Sequence, residues 1–270
     1  MDPILYNFPS ALIVFVLFVT IVIGIEVGYR LGRWAQRLLV EPTKSQINAI
    51  QASMLALLAL ILGFTFSLSL QRYDDRANAV VDEANAIGTT YLRTDLLPHS
   101  VRADVKKLLH EYVDLRVEAG SVSLDQKDER YSTLVKSEAI SAELWQISAE
   151  VAAEDGGPVT SGLYITALNE MIDSFGTRAA IINRCVPELV ILLLMITFVL
   201  TGVMIGYANG VEDHRPSIAA HIMALLIVLL VFIIIDLDRP RRGLIQTPQK
   251  NLIYLQSTME AGESANVKDV

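Results

Sequence analysis

The chain has 270 residues, of which 52% are hydrophobic and only 19% charged, with a formal net charge of −8. That composition is too apolar for an ordinary soluble domain, so membrane spans are sought first. The acidic balance, without a basic stripe, argues against a nucleic-acid partner. A single cysteine, Cys185, excludes an internal disulfide framework.

Four stretches are long and apolar enough to cross a bilayer, which takes about 20 mainly apolar residues in a helix. They are residues 3–25, 45–71, 189–211 and 216–235. The first is not typical of a removable signal peptide, because Asp2 precedes it and Arg30 and Arg33 follow it in place of a cleavage site. The sequence predicts a four-span membrane protein, with the lipid bilayer as its first partner.

The orientation of these spans stays open. The connector between the first two spans holds Arg30, Arg33, Arg37 and Lys44, which places it inside by the positive-inside rule. More basic residues lie near span ends on the opposite side, which favours the reverse. Ionisable residues of the spans lie near their ends, so a proton pump or ion-coupled transporter is not indicated.

Small residues recur at helical spacing in three of the four spans. Such stripes let helix backbones approach closely in lipid. The stripes are Gly24, Gly28 and Gly32; Ala52, Ala56, Ala59, Gly63 and Ser67; and Gly202, Gly206 and Gly210. They predict tight helix packing, either within one subunit or between the subunits of a homo-oligomer.

A different face of the second span has the pattern of a pore. It carries Leu62, Phe66, Ser69 and Tyr73, followed by Arg76. An apolar constriction, then hydroxyls, then a charge at the mouth would suit the passage of inorganic ions. The alternative is that Phe66 and its neighbour Phe64 simply face lipid or pack.

The middle of the chain, residues 72–186, is helical by pattern, with apolar residues at the 3.6-residue period. The four stripes are Val80, Ala84, Ile87 and Tyr91; Val101, Val105, Leu108, Tyr112 and Leu115; Tyr131, Leu134, Glu138, Ala142, Trp145, Ala149 and Ala152; and Leu168, Met171, Phe175, Ala179 and Ile182. Breaks fall near 97–98, 120–121 and 154–158. We expect an antiparallel four-helix bundle, its first helix continuous with the second span and its last with the third.

The expected domains are therefore 1–71, 72–186, 187–236 and a C-terminal tail, 237–270. The join at the second span should be unbroken, since 71–87 contains no proline or glycine, and Gly88 is the first weak point. No catalytic constellation, phosphate loop or metal-ligand spacing is found, so neither an enzyme nor a cofactor or metal is expected.

The stretch "LGFTFSLSLQRYDDRANAVVDEANAIGTTYLRTDLLP" resembles the bacterial bestrophin-like domain family of membrane proteins, as do "KKLLHEYVDLR" and "ALNEMIDSFGTR". The resemblance implies remote kinship to bestrophins, oligomeric all-helical anion channels whose second span lines the pore. Tyr73, Asp74 or Asp75, and Arg76 are compatible with the aromatic, acid and arginine found there. Paired tryptophans are absent after this point, and the tail has no acidic calcium clasp.

The sequence thus predicts an all-α, four-span, homo-oligomeric protein with an extramembrane helical bundle that acts as an ion channel. The alternative is a membrane-anchored scaffold or sensor whose acidic bundle binds a protein partner. A buried polar face on the second span would favour the channel. A purely apolar second span together with an exposed apolar patch on the bundle would favour the scaffold.

Overall fold

The computed structural model describes residues 8–36, 41–122, 126–154, 156–182, 184, 186–239 and 244–266. These residues form helices and short connections, and no strand occurs among them, which confirms the all-α prediction. The helices are α1 (Ser10–Ala35), α2 (Glu41–Arg93), α3 (His99–Ser121), α4 (Lys127–Glu154), α5 (Ser161–Ile182), α6 (Glu188–Val211), α7 (Ile218–Asp238) and α8 (Lys250–Asn266). Cys185 lies outside the described residues.

Four helices are long and apolar enough to span a membrane: α1, the Ser45–Leu96 stretch, α6 and α7. The four-span prediction is confirmed, but the bounds of the first span differ. Helix α1 begins at Ser10, after Pro9, and runs to Ala35, ten residues beyond the predicted end. Proline restricts the backbone just before the helix. An i,i+4 pair between the exposed side chains of Glu26 and Arg30 adds a small stabilisation where the helix continues past its first charges.

Helix α2 is one unbroken helix of 53 residues, as predicted from the lack of a turn signal, and it passes Gly88 before ending at Arg93. The expected continuity of the last bundle helix with the third span is wrong. Helix α5 ends at Ile182, and α6 begins at Glu188 after Pro187. Proline disfavours a helical conformation in the residue before it, which is Val186, and the Val186 amide donates to the carboxylate of Asp238.

The chain divides into two compact units, Met1–Arg72 with Cys185–Arg239, and Tyr73–Arg184 with Pro240–Val270. In the first unit, α1 packs along α6 and against α7. Apolar side chains from these helices and α2 form its core, among them Leu17, Ile21, Leu58, Phe198 and Val231.

In the second unit, α4 packs against both α3 and α5, and α8 packs on α3. Its core includes Ile87, Leu109, Leu144 and Leu168. The segment expected to be a tail contributes as well, because Leu252 and Met259 of α8 are buried in that core. The C-terminal helix is therefore a fifth helical element of this unit.

Helix α4 buries the face opposite to the one that its apolar stripe predicted. Of the stripe expected to face inward, Tyr131, Glu138, Ala142, Trp145 and Ala149 are exposed. The buried face carries Thr133, Ser137, Ile140, Leu144, Ser148 and Val151.

The hydroxyls explain this inversion. Thr133 donates to the Glu129 carbonyl at 2.9 Å, and Ser137 donates to the Thr133 carbonyl at 2.9 Å. Ser148 bonds the Leu144 carbonyl in the same way. A polar group that is satisfied within its own helix can be buried at little cost, so small hydroxyl residues can replace larger apolar ones at the helix contact.

Candidate functional site

The glycine stripes of α1 and α6 face each other within one chain. A Cβ added at Gly28 would overlap the carbonyl group of Val203, and one at Gly206 would overlap the carbonyl group of Ile25. Gly32 and Gly210 meet in the same way, each against the backbone of the other helix. At these four positions the two backbones lie so close that only glycine fits. At Gly24 and Gly202 a Cβ would lie 3.2 Å from the nearest atom of the facing helix, so the contact is looser there, and both stripes face each other inside the protomer.

The small-residue stripe of α2 has a different position. Its members are all exposed in the single chain: Ala52, Ala56, Ala59, Gly63 and Ser67. A Cβ at Gly63 would meet no atom within 4 Å. Among the described residues, this side of α2 therefore has no packing partner within the protomer.

The five pore candidates do not share one environment. Leu62, Phe66 and Tyr73 are half-buried, and Leu62 packs against the core of the spans. Ser69 is fully buried and Arg76 is 3% exposed. A residue that lines a pore has to be accessible there, so Ser69 and Arg76 do not qualify in this conformation. The exposed face of α2 lies further around the helix.

Beyond the apolar stretch, the exposed side of α2 becomes acidic. Asp74 follows Ala56 by 18 residues, which is five full turns, so the two lie on the same side. Asp75 and Asp82 are also exposed, but about 100° and 80° further around the helix. Both line an open groove of about 460 Å³ between α2 and α5, whose wall also holds Arg184. The exposed charges of α2 between 73 and 92 are thus carboxylates.

A buried group of charges fixes the centre of the second unit. Glu83 of α2 is fully buried and accepts from Arg116 Nε of α3 at 2.6 Å and from Arg178 of α5. Arg178 also donates to Gln249 Oε1 at 2.8 Å, which ties the segment before α8 to the bundle. Burial lowers the pKa of Arg178, and the Glu83 carboxylate opposes that shift.

Sequence reasoning missed this group, although a signal was present. Glu83 lies three residues after Val80 and four before Ile87, on the apolar stripe of its helix. Arg116 follows Tyr112 by four residues, and Arg178 follows Phe175 by three. A charge at a core position of each of three neighbouring helices indicates a buried network, since a lone charge there would be too costly.

A second buried carboxylate lies at the end of the last span. Asp238 is fully buried, and both of its oxygens accept from the Val186 amide, at 2.9 and 3.1 Å. The nearest guanidinium nitrogen of Arg72 is 4.0 Å away. Asp238 thus holds Val186, two residues before α6, and lies at the limit of ion-pair distance from Arg72, the last residue of α2 in the first unit. No cluster that could hold a metal ion occurs in the described part of the chain.

Comparison with known proteins decides the family. A family model described as the Bestrophin-like domain matches residues 11–252. The chain belongs to the Bestrophin-like family. No curated protein matches it.

Similar solved structures are crystal structures of a bacterial bestrophin homolog from Klebsiella pneumoniae. One variant has a TM-score of 0.66 at 14% identity, covering 92% of this chain and 97% of that one. A second has a TM-score of 0.65 at 15% identity with the same coverages. A third has 0.61 at 18% identity, with 92% and 96% covered. At such identities the likeness establishes the fold alone.

Proposed function

We propose that this membrane protein is a homo-oligomeric ion channel of the bacterial plasma membrane, with a path lined by α2. Bestrophin-like proteins are in general ion channels. The observation that carries the proposal is the exposed side of α2, because it is the helix that leaves a small-residue stripe unused in the protomer. Of the sequence-derived candidates, Leu62, Phe66 and Tyr73 remain accessible enough to contribute to that path.

The stripe of α2 supports assembly through this helix. In lipid there is little hydrophobic drive between helices, so they associate where small residues allow close backbone contact. The corresponding stripes of α1 and α6 are already occupied by each other. A second copy of the chain is the partner that brings an identical α2 to this surface.

The exposed charges favour cations over the anions that kinship to bestrophins suggested. Asp74, Asp75 and Asp82 are exposed on α2, whereas Arg76 is buried. Asp74 lies on the same side of α2 as the small-residue stripe, so a path along that side would pass one carboxylate per copy, and rings of acidic side chains select cations. In an oligomer each carboxylate occurs once per copy, which multiplies its effect on the local potential.

The test is ion flux in liposomes that contain the purified chain. Potassium and chloride gradients are imposed separately, and flux is recorded for the unmodified protein, for Asp74→Asn with Asp75→Asn, and for Asp173→Asn as an exposed acid on α5. We expect potassium flux that falls in the double variant and persists in the α5 variant. Chloride flux that exceeds potassium flux, or no flux of either ion, contradicts the proposal.

A second function, protein binding by the bundle, is favoured by a separate observation. The outer face of α4 exposes Tyr131 and Trp145 on the extramembrane unit. An exposed apolar patch there is the feature expected of a membrane-anchored scaffold. The second span is not purely apolar, since Thr65 and Ser69 are buried on it, and this keeps the channel as the leading function.

A further inference from the structure

The outer face of α4 carries a continuous helical seam. Its members recur at intervals of four and three residues: Tyr131, Val135, Glu138, Ala142, Trp145 and Ala149. All six are exposed, Tyr131 at 71% and Trp145 at 45%. Alternating intervals of four and three are the spacing by which one helix packs along another over several turns.

This outer seam is not needed to hold α4 in its own bundle. The opposite face of the helix packs against α3 and α5 and includes Ile140 and Leu144. Extended apolar faces on an extramembrane helix are uncommon without a partner, because they leave hydrophobic area in water. The seam is about five turns long, from Tyr131 to Ala149, which is enough to accept a whole helix.

The charges beside the seam restrict what can bind. Along one edge of α4 lie four exposed acids and one exposed lysine, which leaves the edge acidic: Asp128, Lys136, Glu143, Glu150 and Glu154. A fifth acid, Glu138, occupies a seam position among the apolar side chains. A helix that covers the seam would bury Glu138 and bring its own edge beside the other acids. Basic residues in the partner would satisfy both requirements.

We propose that the seam of α4 binds an amphipathic helix of another protein, one with small or aliphatic residues along its apolar stripe and lysines or arginines beside it. This inference rests on the surface of α4 and is independent of ion conduction. The apolar stripe of the partner helix would contact Val135 and Trp145, and a basic side chain of the partner would lie opposite Glu138.

Two other occupants fit less well. An antiparallel α4 helix of a second copy would bring the two acidic edges together, and a parallel one would set the two Glu138 side chains against each other. Like charges disfavour both pairings. A membrane surface with anionic headgroups would also repel the acidic edge, since helices that lie on membranes carry basic polar faces. Charge therefore selects a basic helix.

The chain contains two tryptophans, Trp34 and Trp145, so Trp34→Phe leaves Trp145 as a single reporter within the seam. The full-length variant is placed in nanodiscs of zwitterionic lipid. It is titrated with a synthetic helix of three heptads that has leucine at the seam positions and lysine at the flanking positions. A second peptide has glutamate in place of every lysine.

We expect the basic peptide to shift Trp145 emission to shorter wavelength in a saturable way. The acidic peptide should bind at least about tenfold more weakly, because its charges repel those of α4. Val135→Glu should abolish the shift by placing a charge in the seam. The matched control is Val159→Glu, which alters an exposed valine outside the seam (72% exposed) and should leave binding unchanged.

Equal binding of the two peptides, or binding that survives Val135→Glu, would mean non-specific adhesion and overturn the proposal. Absence of any shift with the basic peptide would also overturn it. Trp145 emission that is already blue-shifted without peptide, and moves to longer wavelength on dilution of the protein, would assign the seam to a second copy. Circular dichroism of each variant separates loss of binding from loss of helix.

Discussion

The α1–α6 contact and the exposed side of α2 use the same kind of sequence pattern in two different ways. In the first, Gly28 and Gly206 lie against the carbonyl groups of the facing helix, and no side chain fits between. In the second, a Cβ at Gly63 would meet no atom within 4 Å in the part of the chain that the structure describes. A small-residue stripe in a span thus indicates a close helix contact. Whether the partner helix belongs to the same protomer or to another molecule depends on how the helices pack.

The largest expected effect comes from filling the α1–α6 contact. Gly206→Leu would force the two backbones apart, and because the obstruction is backbone the strain cannot be relieved by a rotamer change. We expect the free energy of unfolding to fall by at least about 3 kcal/mol, so that little folded protein is recovered. Gly63→Leu is the matched control and should retain full helicity. Thermal unfolding followed by circular dichroism compares the two, and an equal loss of stability in both variants would refute the distinction.

Two neighbouring acids of α2 show the same contrast between a group that is buried in a contact and a group that is exposed. Glu83 is buried between Arg116 and Arg178, and Asp82 beside it is exposed. Glu83→Gln leaves two buried guanidiniums without a carboxylate, which costs about 3–5 kcal/mol and should lower Tm by about 10 °C. Asp82→Asn should change stability by less than about 0.5 kcal/mol. A Glu83 variant as stable as the Asp82 variant would show that the network is not structural.

Arg178→Met tests whether the buried charges also hold the C-terminal segment in place. It removes the donor to Gln249 together with one partner of Glu83. We expect α8 to become more accessible, with faster amide hydrogen exchange at Leu252 and Met259 than in the unmodified protein. The control is Arg130→Met, a half-buried arginine on α4. Unchanged exchange in α8 would mean that Gln249 contributes nothing to holding it.

A smaller effect is expected from the two phenylalanines beside the α2 stripe. Phe66 is half-buried and Phe64 is 68% exposed, and they lie about 160° apart around the helix. If Phe66 narrows the path, Phe66→Ala should raise ion leak in liposomes several-fold, whereas Phe64→Ala should not. Equal leak from both variants removes Phe66 from the path.

The fold was predictable from the sequence where one physical rule dominates. Long uncharged stretches predicted four spans, and the absence of proline and glycine in 71–87 predicted the unbroken α2. The prediction was wrong where one sequence pattern is compatible with more than one packing of the helix. The apolar stripe of α4 is as periodic as those of its neighbours, but the hydroxyls of Thr133 and Ser137 satisfy themselves within the helix, so the bundle could bury the opposite face.

The candidate site was less predictable for a related reason. A helical wheel places Leu62, Phe66, Ser69, Tyr73 and Arg76 on one face, but exposure depends on which neighbours cover that face. Ser69 and Arg76 are covered, whereas Gly63 is not. Local sequence determines what shares a side of α2, and the tertiary packing, to which distant residues such as Leu194 and Phe198 contribute, determines which side stays open.

The claim that the exposed stripe of α2 is an interface between copies of the chain is tested most directly by mass in mild detergent. We expect the unmodified protein to run as a multiple of its 29.8 kDa chain, and Gly63→Leu to shift it to a single chain with unchanged helicity. An unmodified protein that is already a single chain would contradict it. A Gly63→Leu protein that keeps the full oligomer mass would contradict it equally.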